Sequence, residues 1–156
     1  MRRSIFLALG VPGALLVGVA ECRATLPAGE RADSMRVELE VPRNVAAGQP
    51  VPVTLRISNT SDHSIDLYLQ GRAIAFDVIV QRGSEVVWRR LEGATVPSIL
   101  QIRTLAPGEV LELKETWKQE NNAGGRVDPG DYTVSGAVLT DREPLQAPPV
   151  PLRISR

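Results

Sequence analysis

The chain has 156 residues, and its 18 basic and 18 acidic side chains balance at a formal net charge of +0. This length fits a single domain, and the balanced charge excludes an overall field that would attract nucleic acid. Aromatic residues make up only 4%, while 13 glycines and 12 prolines are spread along the sequence, which excludes a coiled coil, a collagen-like chain and a disordered tail. We therefore expect a globular domain with no nucleic-acid partner.

The first residues have the order of a bacterial secretory signal. Arg2 and Arg3 precede an apolar run over 5–20, which is shorter than the roughly 20 residues of a membrane span. We predict a signal peptide over 1–24, a linker over 25–34 and a domain over 35–156, and hence export to the periplasm or cell envelope. A competing interpretation ends the signal before Cys22, which would then carry a lipid anchor. Membrane contact is expected only through the signal or that anchor.

Cysteine use limits how the domain can be held together. Cys22 is the only cysteine, so no disulfide can form within the chain. The domain must therefore be stabilised by its hydrophobic core, even in an oxidising compartment.

Alternating apolar and polar residues predict β-strands throughout 35–156. A strand buries every second residue, and glycine, proline and short polar residues separate successive strands. The predicted strands lie at 35–41, 51–58, 65–69, 74–80, 86–88, 100–102, 111–117, 132–138 and 150–154. No segment of the domain has a helical period. We predict an all-β, immunoglobulin-like antiparallel β-sandwich of seven to nine strands.

Three local signals concern how these strands are joined. Glu115 interrupts the inward face of strand 111–117, which predicts a bulge or a strand end near it. Pro107 and Gly108 predict a type II turn, because proline presets φ and glycine accepts a positive φ. Tyr132 follows a turn sequence at the start of a strand, which predicts a tyrosine corner, a hydrogen bond from the phenol back to upstream backbone.

Two tryptophans are predicted to lie in the core. Trp117 ends the inward face of its strand, and Trp88 lies in the strand after the Gly83 turn. Arg89 and Arg90 follow Trp88, and we expect them to flank it in solvent. The alternative is a patch of cation and aromatic side chains for an anionic partner.

The sequence offers no combination of residues that supports catalysis or metal binding. His63 is the only histidine and follows Asp62 in a polar turn, so we interpret it as a solvent-exposed turn residue and not as a catalytic base. One histidine with no cysteine nearby cannot form a zinc site, and Asp128 and Asp131 do not follow the spacing of a calcium loop. We predict that the protein is not an enzyme and uses no cofactor or metal.

Two loops are candidates for recognition, because β-sandwiches bind their partners through loops. The first covers 92–98, where Pro97 biases the preceding residue toward an extended backbone that could lie in a protease cleft. The second covers 118–128 and is long and polar. We take the first as the candidate protein-binding site; its residues are Glu92, Thr95, Val96, Pro97 and Ser98. A connecting loop with no partner is the alternative.

A set of core and turn residues supports a family resemblance. It consists of Phe76, Val78, Val86, Trp88, Leu105, Pro107, Gly108, Glu109, Trp117, Gly125, Val127, Gly130, Tyr132 and Val134. With these residues the chain resembles the BsuPI-type intracellular proteinase inhibitor family. The resemblance implies an immunoglobulin-like sandwich that inhibits serine proteases of the subtilisin type, so the expected partner is a protein, namely a serine protease. The predicted export signal departs from an intracellular role.

A second resemblance implies a different function. Trp117, Gly125, Val127, Gly130 and Tyr132 also resemble the closing hairpin of the immunoglobulin-like module found in flagellar hook-capping proteins and in the tails of secreted bacterial enzymes. That resemblance implies an interaction or assembly module with no inhibitory activity. Both interpretations describe a non-catalytic binding domain, and the sequence leaves both open.

Overall fold

The computed structural model describes residues 34–156, which contain eleven β-strands. They are β1 (Met35–Glu40), β2 (Asn44–Ala46), β3 (Val51–Asn59), β4 (Ile65–Gln70), β5 (Phe76–Arg82), β6 (Glu85–Arg89), β7 (Leu100–Leu105), β8 (Val110–Trp117), β9 (Gly130–Val138), β10 (Leu145–Gln146) and β11 (Val150–Ser155). The predicted all-β, sandwich-like fold is confirmed. The count exceeds the predicted seven to nine because β2 and β10, with 3 and 2 residues, are too short to alternate visibly.

Part of the predicted domain organisation lies outside the described residues. The signal peptide over 1–24, the lipidation of Cys22 and all but the last residue of the 25–34 linker fall there and stay predictions. Within 34–156, the structure offers no helix with the length and apolarity that a membrane span requires.

The strands form three sheets. The first has the order β1-β3-β8, the second has the order β2-β11-β9-β5-β6 with β10 beside β9, and the third consists of β4 and β7. Pairing is antiparallel in the described strands except between β2 and β11, which are parallel. One hydrophobic cluster takes side chains from all three sheets, so they enclose a single core.

The core forms because strands of the first two sheets face each other with alternate residues buried. In β3, Val53, Leu55 and Ile57 point inward, and each such side chain contributes about 1.5–3 kcal/mol when fully buried. The sheets are in close contact at Gly136 of β9, where an added Cβ would lie 2.8 Å from Leu39 Cδ1. Glycine at this position therefore allows the two sheets to pack.

The predicted tyrosine corner is confirmed. The Tyr132 hydroxyl donates a hydrogen bond to the Asp128 carbonyl at 2.6 Å. The Tyr132 ring meets the Trp117 ring edge to face, with 5.9 Å between centroids, and the Trp117 Nε1 donates to the Glu120 carbonyl at 2.8 Å. The polar atoms of both buried aromatic side chains are thus satisfied.

Of the two alternatives predicted near Glu115, the bulge is absent from the described strand, and the strand end is found at Trp117, two residues later. The register between β3 and β8 runs without a shift as far as Val51 opposite Trp117. Glu115 stays on the inward face because its Oε2 accepts a 2.7 Å hydrogen bond from Arg90 Nε, which neutralises the carboxylate. The register shift lies instead between Val80 and Gln81, where β5 pairs with β6.

Two turns match the sequence prediction. In the turn between β7 and β8, Gly108 has a φ of 75° and the Glu109 N–H donates to the Ala106 carbonyl at 2.9 Å, as a type II turn requires. In the β5–β6 hairpin, Gly83 has a φ of 60°, which places a tight turn between the strands.

Candidate functional site

The five predicted binding residues lie on one loop between β6 and β7. Glu92, Thr95, Pro97 and Ser98 are exposed, and Val96 is half-buried. The loop begins with two turn hydrogen bonds, from the Glu92 N–H to the Arg89 carbonyl and from the Ala94 N–H to the Leu91 carbonyl. Residues 95–98 then form no hydrogen bond to any other described residue. Their backbone groups are therefore available to a partner.

Asp77 on β5 fixes the start of this loop. Its Oδ2 accepts a 2.6 Å hydrogen bond from Arg89 Nε, and its Oδ1 accepts a 3.1 Å hydrogen bond from the Leu91 N–H. The carboxylate is buried, so both of its oxygens need these donors. The backbone is thereby held where it leaves β6.

Arg90 also holds the start of the loop. Its guanidinium carbon lies 3.9 Å from the centre of the Phe76 ring, and its Nη1 donates to the Phe76 carbonyl at 2.7 Å. Its Nε pairs with Glu115 on β8, so one side chain connects the loop to two sheets. The prediction that Arg89 and Arg90 flank Trp88 in solvent is met by Arg89, which is exposed, and is wrong for Arg90, which lies against the core.

Gly71 fixes the far end of the loop. The Gly71 N–H donates to the Ile99 carbonyl at 2.8 Å, and the Gln101 side-chain amide donates to the carbonyls of Gly71 and Arg72. Gly71 has a φ of 93°, and an added Cβ would lie 2.4 Å from the Ala73 carbonyl oxygen, so only glycine fits this turn.

The second loop singled out in the sequence lies beside the first. Asn122 accepts a 2.8 Å hydrogen bond from the Arg89 N–H and donates a 2.9 Å hydrogen bond to the Arg89 carbonyl, as a neighbouring strand would. Glu92 and Asn122 both line a surface cavity of ≈ 450 Å³ between the two loops. The loops at 92–98 and 118–128 therefore form one surface at the β6 edge.

Residues considered for other chemistry lie apart from each other. His63 is exposed, with its Nδ1 3.0 Å from Asp62 Oδ1, and this hydrogen bond lowers the pKa of Asp62. Asp131 pairs with Arg153 on the surface. Within residues 34–156, no three side chains of His, Cys, Asp or Glu are grouped to hold a metal ion.

The sequence marks the loop itself but not the residues that hold it. Asp77 is the only acidic residue of the buried strand β5, and an acidic residue at a buried position calls for a partner. That signal could have identified it. Asn122 and Gly71 resemble ordinary turn residues, so the sequence carries no signal for their contacts.

A β-sandwich that presents a loop fixed at both ends is the architecture of a binding module. The model of the BsuPI family, described as intracellular proteinase inhibitor, matches residues 35–143. This match covers more than half of the chain, and the protein belongs to the BsuPI family. The resemblance drawn from the sequence is confirmed, and proteinase inhibition is the general function that the family implies.

The family also corrects the predicted location. Export to the periplasm or cell envelope is wrong, because the family is described as intracellular, which points to a protein that stays inside the cell. The apolar run over 5–20 that led to the prediction lies outside the described residues.

The similarities to individual proteins are distant. None of the curated proteins matches the chain. Among solved structures, the alkylpurine DNA glycosylase AlkC of Pseudomonas fluorescens is 12% identical with a TM-score of 0.46, over 79% of this chain and 31% of that one. The β-glucosidase EmGH1 of Erythrobacter marinus is 14% identical with a TM-score of 0.44, over 78% and 15%. The CARDB domain of the PF1109 protein of Pyrococcus furiosus is 13% identical with a TM-score of 0.42, over 77% and 91%.

Proposed function

We propose that this protein binds and inhibits a serine protease of the subtilisin type through the loop at 92–98. Membership of the BsuPI family supports proteinase inhibition in general. The proposal adds that the loop at 92–98 makes the contact and that the protease is of the subtilisin type. The observation that carries it is the contrast within the loop. Residues 95–98 form no hydrogen bond to other described residues, whereas Leu91 and Ile99 on either side are fixed by Asp77 and Gly71.

A loop of this kind suits an inhibitor because little conformational entropy of the loop is lost when the protease binds it. Proteases hold their substrates in extended form, with hydrogen bonds to the substrate backbone, and residues 95–98 have such groups free. Pro97 restricts its own φ and biases Val96 toward an extended conformation. Because the ends of the loop are already held, binding would order only a few residues, and preorganisation of this kind raises affinity.

The same contacts would slow the loss of the inhibitor by cleavage. If the protease hydrolysed a peptide bond within 95–98, the new ends would remain attached near Leu91 and Ile99. They could not diffuse apart, so their effective concentration would stay high and loss of water would re-form the bond. A substrate loop without fixed ends would instead separate and release the protease.

The proposal is tested by titrating subtilisin with the full-length chain and following both residual activity and integrity of the chain. Inhibition near an equimolar ratio with the chain intact is the expected result. Trypsin, titrated in parallel, reports whether the effect is restricted to one protease class. Subtilisin that stays fully active in excess inhibitor would contradict the proposal and favour an interaction module.

A loop variant with a matched control locates the contact. Pro97→Gly removes the restriction on the loop backbone and should weaken inhibition up to about fivefold, since a comparable conformational constraint is worth roughly 1 kcal/mol. Pro148→Gly makes the same change in an exposed connection between β10 and β11, and inhibition should not change. Equal inhibition by both variants would place the contact elsewhere.

A further inference from the structure

The strand that follows the loop has an unpaired edge. β7 pairs with β4, and because the Ile99 carbonyl accepts from the Gly71 N–H, the odd-numbered residues of β7 direct their backbone groups toward β4. The N–H and C=O groups of Leu100, Ile102 and Thr104 therefore point the other way. On that side no strand lies among residues 34–156, and these groups have no backbone partner there.

Apolar side chains are exposed along the same strand. Leu100 is 54% exposed and Ile102 is 64% exposed, and Tyr68, which stands opposite Ile102 on β4, is 43% exposed. The three share the outer face of the β4–β7 sheet, because alternate residues of a strand point to the same side. The edge of β7 thus combines free hydrogen-bonding groups with apolar side chains.

Three edge strands of the larger sheets, β1, β6 and β8, are protected against pairing with another chain. The edge of β6 is covered at Arg89 by the Asn122 amide. β1 carries alternating charges, and β8 carries Lys114 next to Glu112. Natural proteins use such charges and covers to prevent edge-to-edge association. On β7 the charged Arg103 lies on the opposite face and pairs with Glu109. The outer face of β7 carries Leu100 and Ile102, followed by Thr104, whose hydroxyl donates to Asp66 on β4.

We propose that a strand of the inhibited protease adds to the free edge of β7, so that the contact continues from the loop at 92–98 along 99–104. This inference rests on the proposed function, because the loop brings the protease to this edge. Strand addition supplies backbone hydrogen bonds for affinity and side-chain contacts for specificity. Leu100 and Ile102 would supply the apolar contacts.

The size of the surface favours a protease over a second copy of this chain. A stable interface takes about 800 Å² and roughly 20–30 residues from each partner. Two copies that paired only through β7 would each contribute one strand of 6 residues. A protease already held by the loop needs only the additional contact, and loop and strand are continuous through Ile99.

A charge placed on the edge tests the side-chain contact. Ile102→Lys should weaken inhibition of subtilisin by about tenfold or more, because a lysine would have to lose water inside the interface. The matched control is Ser155→Lys. Ser155 is an exposed strand residue near the Gly130 end of β9, and the loop at 92–98 starts near the opposite end of β9, at Val138, so the control lies away from the proposed contact. The control should inhibit as the unmodified chain does, and both variants should melt as it does.

Hydrogen exchange tests the backbone contact independently of any substitution. In the free chain the N–H groups of Leu100, Ile102 and Thr104 should exchange rapidly with solvent. In the complex with subtilisin they should become protected by at least about tenfold, since each acquires a hydrogen-bond partner. The N–H groups of Gln101 and Arg103, which face β4, serve as the internal control.

Each outcome separates this inference from the function on which it rests. Inhibition without protection of these N–H groups, and without an effect of Ile102→Lys, would overturn the β7 contact and leave the inhibitor function in place. No inhibition by the unmodified chain would overturn both. Protection that appears in the chain alone and rises with its concentration, together with dimers in analytical ultracentrifugation, would assign the edge to a second copy and overturn the inference.

Discussion

Asp77 and Arg89 form a 2.6 Å ion pair in which the carboxylate is buried and the guanidinium is half-exposed, with 6% and 48% of the two side chains accessible. Removal of one partner would have different consequences for the hydration of the other. Arg89 would regain water, whereas Asp77 would remain enclosed with an unsatisfied charge. The stability of this corner, where the loop at 92–98 begins, therefore depends mainly on the donors around Asp77.

Asp77→Asn should lower the free energy of unfolding by about 1–3 kcal/mol. The variant keeps the size of the side chain but replaces one acceptor oxygen by an NH₂ group, which opposes a donor, either Arg89 Nε or the Leu91 N–H. Urea unfolding measures the effect. Asp131→Asn makes the same change at the exposed ion pair with Arg153 and should cost at most about 1 kcal/mol. Equal losses in the two variants would contradict the role of Asp77.

Tyr132→Phe should destabilise the domain by about 1 kcal/mol at neutral pH, because it removes the hydrogen bond to the Asp128 carbonyl. Tyr68→Phe is the matched control, since the Tyr68 side chain is exposed and donates no hydrogen bond to another described residue. The measurement is urea unfolding of both variants. An unchanged midpoint for Tyr132→Phe would mean that the corner adds no stability.

The same residue predicts a loss of stability at alkaline pH. Burial raises the pKa of Tyr132 above its ordinary value of 10.0, so the folded state holds the phenolic proton more tightly than the unfolded chain does. The resulting stabilisation is complete below pH 10 and is lost as the pH rises through the folded-state pKa. Stability profiles from pH 8 to about 12 should therefore decline less steeply for Tyr132→Phe than for Tyr68→Phe. Parallel profiles would contradict the shift.

The two tryptophans should differ in how much stability they contribute. Trp117 is 1% exposed, so Trp117→Ala should cost about 3–5 kcal/mol. Trp88 is only partly buried on β6, so Trp88→Ala should cost about half as much, because less apolar area is removed from the core. Thermal unfolding of the two variants tests the order. A larger loss for Trp88→Ala would contradict the packing described for β6.

Gly136→Ala should destabilise the domain by about 1–3 kcal/mol through overpacking between the two sheets. The new Cβ would lie 2.8 Å from Leu39 Cδ1 and 3.3 Å from Leu55 Cδ1. Leu39→Ala removes the closer atom, so the double variant should be more stable than the sum of the two single losses implies. Additive losses in this double-mutant cycle would show that the two residues do not press against each other.

The strands were predictable from sequence wherever alternation ran for several residues. β2 and β10 were missed because 3 or 2 residues cannot display a period, and the end of β1 was placed one residue late. Strand order was not predictable at all. β4 pairs with β7, and β3 with β8, across long stretches of sequence, and no local pattern encodes those partners.

The position of the candidate loop was predictable from sequence, and the contacts around it were not. Pro97 and the polar residues around it mark the loop directly, because proline restricts backbone conformation in any context. The contact of Arg90 with Phe76 and Glu115 requires three distant parts of the chain to meet, so the sequence suggests only solvent-exposed arginines. The exposure of Leu100 and Ile102 was equally unpredictable, because their alternation with polar residues predicts a buried face.

The pairing of the strands has a consequence for the speed of folding. β5 and β6 are joined by a tight turn and pair with each other, so this hairpin can form within microseconds. β3 with β8 and β4 with β7 must instead find each other across long intervening segments, and closing such loops slows folding to about milliseconds or seconds. Asp77 and Arg89 both belong to the fast hairpin. The base of the loop can therefore be in place before the core has closed around it.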